Sequence, residues 1–129
     1  MELNKYQEQA MTTCMPSSEN FSYMFLNLVG EVGELASKVA KHIRKEKATI
    51  VENEFVLECE SVEELVRADD PLYEELKKEA GDILWQLSGV CTIFGWSLEE
   101  VAKMNLDKLA ARKKAGTIVG NGDGIIREK

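Results

Sequence analysis

Apolar residues recur every three or four positions in four separate stretches of the chain, which is the spacing of amphipathic helices. Pro16 and Gly116 are typical of residues that end helices. Pro71 and Ser97 are typical of residues that begin them. The predicted helices cover about residues 3–14, 19–44, 71–94 and 97–115. We therefore expect an all-α fold that resembles a four-helix bundle.

The two long helices carry the broadest apolar surfaces. The second helix is predicted to bury a stripe formed by Phe21, Phe25, Leu28, Val32, Leu35, Val39 and Ile43. The third is predicted to bury Leu72, Leu76, Ala80, Ile83, Leu87, Val90 and Phe94. Leu26 and Val29 extend the apolar surface of the second helix beyond its stripe, which indicates that a second subunit covers it.

The chain between the second and third helices lacks helical periodicity. Residues 49–58 are rich in β-branched and aromatic side chains, so either a short strand or hairpin or a loop fits around residues 46–60. Ser61 and the acidic residues after it predict a short helix that ends near Ala68. Residues 116–129 form a glycine-rich tail that lacks the G-K-[ST] of a phosphate-binding P-loop.

Length, charge and cysteine content exclude several classes of protein. A chain of 129 residues is expected to form one domain, and without a signal peptide or a long apolar run it is expected in the cytoplasm and away from membranes. A net charge of −7 disfavours binding to a nucleic-acid polymer, because counterion release requires a basic surface. Cys14, Cys59 and Cys91 lack C-x-x-C spacing, so we expect reduced thiols rather than disulfides or a zinc site.

Two pairs of carboxylates lie on the long helices. Glu31 and Glu34 on the second helix are three residues apart, as are Glu79 and Asp82 on the third, so each pair occupies one helical face at the border of the apolar stripe. Side by side, the helices would direct four carboxylates at one spot. Such groups repel one another unless a cation lies between them, and Mg²⁺ prefers oxygen ligands. The alternative is a solvated acidic face, because E-x-x-E is common on helices.

Glycines accompany both carboxylate pairs. Gly30, Gly33 and Gly81 lie within predicted helices, where glycine costs about 1 kcal/mol relative to alanine. We expect another helix or a ligand to approach closely at these positions.

The fourth helix carries polar residues on its apolar face. Asn105 and Arg112 share this face, with Lys108 on its flank. Buried polar groups need partners, so these side chains are expected to pair with the carboxylates or with an anion. Lys108 and Arg112 are one turn apart and are suitably spaced to bind phosphate oxygens.

Three further residues have both a functional and a structural interpretation. Trp85 is a candidate for stacking on a base and Gln7 for contacting a ligand, although packing is the more common role of such residues. His42 lies near the end of the second helix, where a cation complements the helix dipole, and this role is favoured over catalysis.

The carboxylate pairs and their surroundings resemble a known family. Glu31-x-x-Glu34 followed by Glu79-x-x-Asp82, within Gly-Glu-Val-Gly-Glu-Leu and Glu-Ala-Gly-Asp-Ile-Leu-Trp, is similar to the E-x-x-E…E-x-x-D signature of MazG-like all-α nucleoside triphosphate pyrophosphohydrolases. Asn105-x-x-Lys108-Leu109-x-x-Arg112 resembles that family's next helix. The opening Tyr6-Gln7 and the Gly-Thr-Ile-Val-Gly-Asn-Gly-Asp tail resemble those of its short members. The resemblance covers most of the chain except about residues 46–70.

The resemblance implies an enzyme that uses Mg²⁺, with Mn²⁺ as a substitute, to cleave a nucleoside triphosphate to the monophosphate and pyrophosphate. The implied metal ligands are Glu31, Glu34, Glu79 and Asp82. One of these carboxylates, Glu34 or else Glu31, would position the attacking water or accept its proton. The implied phosphate-binding residues are Lys108, Arg112, Asn105 and, more weakly, Lys38. The resemblance further implies a homodimer or homotetramer that removes unwanted nucleotides.

Two alternatives remain at the level of sequence. One is another enzyme of the same superfamily, such as a phosphoribosyl-ATP pyrophosphohydrolase or a dUTP or dCTP hydrolase. The other is a non-catalytic helical protein whose acidic stripes bind a partner. A di-iron carboxylate bundle is disfavoured, because the Glu-x-x-His pairs of such sites are absent.

Overall fold

The computed structural model describes residues 1–57 and 71–116. These residues form α1 (Leu3–Met11), α2 (Phe21–Arg44), β1 (Ala48–Val51), β2 (Glu54–Leu57), α3 (Pro71–Phe94) and α4 (Leu98–Ala115), with a 3-10 turn at Pro16–Ser18. The predicted all-α fold with a short strand insert is confirmed. The predicted short helix from Ser61 to Ala68, Cys59, and the tail after Gly116 lie outside the described residues.

The helix ends follow local capping chemistry. Asn20 caps α2, because its Oδ1 atom accepts a hydrogen bond from the backbone N–H of Tyr23 at 2.8 Å. Ser97 and Glu100 form a reciprocal capping box at the start of α4, with hydrogen bonds of 3.1 Å and 2.6 Å. Gly116 ends α4 in the left-handed region, with φ of 71°. These caps fix where the long helices start and stop, and so which residues face each other.

The insert after α2 is a β-hairpin. β1 and β2 pair antiparallel, with Ala48 opposite Leu57 and Val51 opposite Glu54. The two connecting residues, Glu52 and Asn53, both have positive φ, at 50° and 67°. A two-residue turn of this kind matches the twist of the strands, which explains why the β-rich segment forms a hairpin rather than a loop.

α2 and α3 make the most extensive helix contact of the described chain. Gly89 of α3 faces Met24 of α2, and an added Cβ at this glycine would lie 2.2 Å from Sδ of Met24. The expectation of another helix close to Gly33 and Gly81 was wrong within the described chain, since a Cβ at either position would meet nothing within 4 Å. At Gly30 a Cβ would meet only Oδ1 of Asn27, at 3.6 Å. A ligand remains a prediction for these three glycines.

The buried face of α2 is rotated from the predicted stripe. Phe21, Phe25 and Val32 are 49%, 46% and 49% exposed, whereas Met24 is 1% exposed. Their assignment to the core was therefore wrong for the described chain. The inner face of α2 instead includes Glu31, which is half-buried, and it meets a face of α3 that includes buried Glu79. Glu31 and Glu79 thus lie between the two helices, whereas Glu34 and Asp82 are exposed.

Two smaller findings bear on the class of protein. Cys14 and Cys91 are free thiols, and burial raises the pKa of both. Among the helices that are described, none is both long and apolar enough to cross a bilayer.

Candidate metal centre

Three of the four predicted carboxylates meet between α2 and α3. One oxygen each of Glu31, Glu79 and Asp82 lies within 4.8 Å of the other two. Glu31 projects from α2, while Glu79 and Asp82 project from successive turns of α3. The spacing along α3 and the packing of the two helices therefore produce a cluster of oxygen ligands.

The fourth predicted carboxylate, Glu34, lies next to this cluster. Its charge raises the pKa of Glu31, second only to burial as a cause and ahead of the charges of Asp82 and Glu79. Glu34 itself is exposed and lines a groove of about 260 Å³ together with Ser37, Lys38 and Lys41. It is thus close enough to act on the cluster and open enough to meet water.

Glu31 and Glu79 are the less exposed carboxylates of the cluster, and one oxygen of each contacts a donor from α2. Lys38 Nζ lies 2.8 Å from Oε1 of Glu79, and Asn27 Nδ2 donates to Oε1 of Glu31 at 3.5 Å. The ammonium group of Lys38 keeps a raised pKa, chiefly through its hydrogen bond to Glu79. These contacts orient both carboxylates from the same helix.

The second oxygen of each glutamate has no such donor. Oε2 of Glu31 and Oε2 of Glu79 are buried and lack a hydrogen-bond partner among the residues the structure describes. A buried polar group without a partner costs about 1 to 3 kcal/mol, and more when it is charged. An all-oxygen donor set with two unpartnered buried oxygens fits a hard divalent cation such as Mg²⁺.

Two residues that support the cluster were not recognised as candidates from the sequence. Asn27 is held by Gln86 of α3 and contacts Glu31, four residues further along α2. The sequence feature that could have identified Asn27 is its position as the single polar residue in the apolar run from Phe25 to Val29. Tyr6 of α1 lies near Asp82, since burial and then this carboxylate raise the pKa of its phenol. α1 therefore closes one side of the cluster.

Two of the predicted phosphate-binding residues of α4 line a separate cavity. Asn105 and Lys108 line a cavity of about 760 Å³ together with Trp96 and Met104. α4 packs mainly against α1, and no described hydrogen bond or ion pair joins Asn105 or Lys108 to the carboxylates. Arg112 is half-buried near the end of α4. Lys38, by contrast, contacts the cluster directly through Glu79.

The predicted base contacts make internal hydrogen bonds. Gln7 donates to Oγ1 of Thr92 at 3.0 Å and to the carbonyl of Trp96 at 2.9 Å, and accepts from the N–H of Leu98 at 2.8 Å. It thereby joins α1 to the connection between α3 and α4.

Trp85 and His42 also have partners within the chain. Trp85 Nε1 donates to Oγ1 of Thr13 at 2.9 Å and to the carbonyl of Ala10 at 3.1 Å, which fastens α1 to α3. His42 lies in the last turn of α2, with Nε2 3.7 Å from Oε2 of Glu75. Both residues therefore have structural contacts that account for their positions.

Comparison with known proteins agrees with this geometry. The sequence profile of the MazG nucleotide pyrophosphohydrolase domain matches residues 19–117, which include all four predicted carboxylates. The "Gene 37 protein" of Mycobacterium phage L5 is 32% identical over 107 residues, which cover 83% of this chain and 78% of that protein. No solved structure matches the chain significantly. The resemblance drawn from the motifs is confirmed: the chain belongs to the family of MazG nucleotide pyrophosphohydrolase domains.

Proposed function

We propose that this protein is a Mg²⁺-dependent nucleoside triphosphate pyrophosphohydrolase that cleaves a ribo- or deoxyribonucleoside triphosphate to the monophosphate and pyrophosphate. Family membership supports the reaction class. The observation that carries the metal dependence is the pair of buried, unpartnered oxygens of Glu31 and Glu79 beside Asp82. We further propose that it acts as a homodimer or homotetramer on the cytoplasmic nucleotide pool.

The metal ligands in this proposal are Glu31, Glu79 and Asp82, with Glu34 at the edge of the site. A triphosphate carries about four negative charges and would be repelled by the carboxylates alone, so a divalent cation is needed between them. Bound there, Mg²⁺ supplies a Lewis acid that polarises a phosphate oxygen and lowers the pKa of water; Mn²⁺ has the same preference for oxygen ligands.

Glu34 is the proposed general base. A general base must be accessible to the attacking water. Glu34 meets this requirement because it is exposed and lies outside the group formed by Glu31, Glu79 and Asp82. An O–H bond of the water breaks and the proton passes to Glu34. The water oxygen forms a bond to the α-phosphorus, and the bond from that phosphorus to the α,β-bridging oxygen breaks. Pyrophosphate leaves with the bonding electron pair.

The remaining predicted residues bind substrate in this proposal. Lys38 reaches the cluster through its 2.8 Å contact with Glu79 and is placed beside the phosphates. Lys108, Arg112 and Asn105 bind phosphate or sugar. Since α4 packs mainly against α1 of its own chain, we propose that these residues serve the site of a neighbouring subunit.

A screen of nucleotides tests the reaction and the substrate together. Canonical and damaged nucleoside triphosphates, with phosphoribosyl-ATP included, are incubated with Mg²⁺ and the products are identified by mass. We expect one monophosphate and one pyrophosphate per turnover, and no turnover in EDTA. Hydrolysis of phosphoribosyl-ATP, dUTP or dCTP alone would assign the chain to one of the specialised enzymes of the superfamily.

Matched variants test the residues. Removing a base or a metal ligand should lower kcat by roughly 10²-fold to 10⁴-fold, so we expect this loss in Glu34→Gln and Asp82→Asn. Glu74→Gln is the control, because Glu74 is an α3 carboxylate that pairs outside the cluster with Lys77, at 3.6 Å. If the wild-type protein releases no pyrophosphate from any nucleotide, the family membership describes its fold and not its activity, and a partner-binding role gains support.

A further inference from the structure

A groove on α2 beside the carboxylate cluster has chemistry that the metal site does not use. It is lined by Glu34, Ser37, Lys38 and Lys41 and holds about 260 Å³. Ser37 and Lys38 lie three and four residues after Glu34, and Lys41 lies three residues after Lys38, so the four side chains share one helical face. The groove begins one turn after Glu31 and runs away from the cluster toward the C-terminal end of α2.

The groove is positively charged beyond Glu34. The ammonium group of Lys38 has three N–H donors and contacts Oε1 of Glu79, at 2.8 Å, as its one ion-pair partner among the described residues. Lys41 is exposed and has no carboxylate within ion-pair distance in the described part of the chain. Two lysines one turn apart therefore have donors available next to a site that binds metal and triphosphate in the proposed function.

Ser37 adds a neutral donor beside the lysines. Two hydroxyls of α3 bond back to the carbonyl four residues earlier, Ser88 to Leu84 at 2.9 Å and Thr92 to Ser88 at 2.8 Å. The hydroxyl of Ser37 makes no such bond and has no hydrogen-bond partner within residues 1–57 and 71–116. It is thus left to bond to water or to a ligand in the groove.

We propose that this groove binds the β- and γ-phosphates of a nucleoside triphosphate, with Ser37 and Lys41 as ligands that the carboxylate and α4 motifs do not include. The inference rests on the proposed function and extends it. The eight residues from Glu34 to Lys41 span about 10 Å of helix, a distance that lysine side chains can shorten by reaching back toward the cluster. When the α-phosphorus–oxygen bond breaks, negative charge grows on the departing pyrophosphate, and the lysines stabilise it there.

Calorimetric titration of inorganic pyrophosphate into the full-length protein, with Mg²⁺ present, tests the groove without turnover. Removing one charged hydrogen bond should weaken binding about tenfold, so we expect this loss in Lys41→Gln and a several-fold loss in Ser37→Ala. Affinity for the nucleoside monophosphate product should not change in either variant. The same variants should raise the inhibition constant of pyrophosphate in the hydrolysis assay by similar factors.

Lys45→Gln is the matched control, because Lys45 is an exposed lysine at the C-cap of α2 outside the groove. The inference is overturned if Lys41→Gln binds pyrophosphate as tightly as Lys45→Gln, or if it loses monophosphate affinity equally. A wild-type protein that hydrolyses no nucleotide would instead overturn the proposed function. The two failures are therefore distinguishable.

Discussion

The side-chain amide of Asn27 on α2 donates a hydrogen bond to the side-chain amide of Gln86 on α3, with Nδ2 and Oε1 3.1 Å apart. A second hydrogen bond of Gln86 fixes the direction of this bond. Gln86 Nε2 lies 3.1 Å from the backbone carbonyl of Met24, which can only accept, so Oε1 of Gln86 must face Asn27. Asn27 in turn presents N–H rather than oxygen to Glu31. The hydrogen bonds between α2 and α3 thus orient Glu31, a carboxylate of the candidate metal centre.

Replacing Gln86 by Met should damage both stability and metal binding. The substitution keeps the volume of a side chain that is 1% exposed but removes its bonds to Met24 and Asn27. We expect the free energy of unfolding, measured in urea, to fall by about 1 to 3 kcal/mol. Mg²⁺ affinity, measured by calorimetry, should fall about tenfold or more, as for other residues that orient a metal ligand.

Ser88→Ala is the control that separates the loss of stability from the loss of Mg²⁺ affinity. Ser88 is 0% exposed on the same helix, and its hydroxyl bonds to the carbonyl of Leu84 within that helix. We expect a smaller loss of stability and unchanged Mg²⁺ affinity. Equal Mg²⁺ affinity in Gln86→Met and Ser88→Ala would show that the amide pair does not orient Glu31.

Gly89→Ala should separate α2 from α3. The new Cβ would lie 2.2 Å from Sδ and 2.7 Å from Cε of Met24, a side chain that is 1% exposed and has little room to move. Overpacking of this kind typically costs about 1 to 3 kcal/mol, which thermal unfolding in EDTA would detect. Gly81→Ala is the control, since its Cβ would meet nothing within 4 Å in the described chain and alanine favours the helix. A stability loss in Gly81→Ala instead would indicate that another subunit covers that position.

The meeting of the carboxylates could be predicted from the sequence because helical geometry fixes most of it. Glu79 and Asp82 must share a face whatever the tertiary structure, and Glu31 reaches them once the two longest helices pack together. The hairpin was only one of two predicted outcomes, because the positive φ at Glu52 is unusual for that residue and leaves no clear signal.

The rotation of α2 could not be predicted in the same way. Met24 and Phe25 are adjacent and both apolar, yet Met24 is 1% and Phe25 46% exposed. The periodicity allows either face to be inward. What decides between them is the gap at Gly89, which admits Met24, and the amide pair between Asn27 and Gln86. Likewise, the position of Asn105 and Lys108 depends on the packing of α4 rather than on spacing within it.

The outward face of α2 should mediate self-association. Leu26 and Val29 are 70% and 68% exposed, and Gly30 and Gly33 beside them leave room for another chain. Burying a leucine stabilises an assembly by about 1.5 to 3 kcal/mol, so we expect Leu26→Glu to raise the dissociation constant of the assembly about a hundredfold. Light scattering of the protein as it elutes from a size-exclusion column measures this change. Met15→Glu, at a site that is 67% exposed and outside this face, should leave the assembly unchanged. A wild-type protein that is monomeric at micromolar concentration would contradict this prediction.

The charge of Glu31 should make the metal-free protein less stable at neutral pH than in mild acid. Burial and the neighbouring carboxylates raise the pKa of Glu31, so the folded state keeps a proton that the unfolded chain has already lost. Stability therefore falls as the pH rises from the ordinary pKa of glutamate to the raised value, and stays lower above it. Below the ordinary value both states are protonated and the difference disappears.

Glu31→Gln should remove this dependence, because the amide cannot ionise. In EDTA at neutral pH we expect its melting temperature to exceed that of the wild type by on the order of a few degrees, with the gain vanishing in acid. Added Mg²⁺ should stabilise the wild type and have much less effect on the variant, since a ligand bound only by the folded state raises its stability. Glu8→Gln, which removes an exposed α1 carboxylate, controls for the change in net charge. If Glu31→Gln melts no higher than Glu8→Gln in EDTA, the carboxylates do not repel one another as their positions indicate.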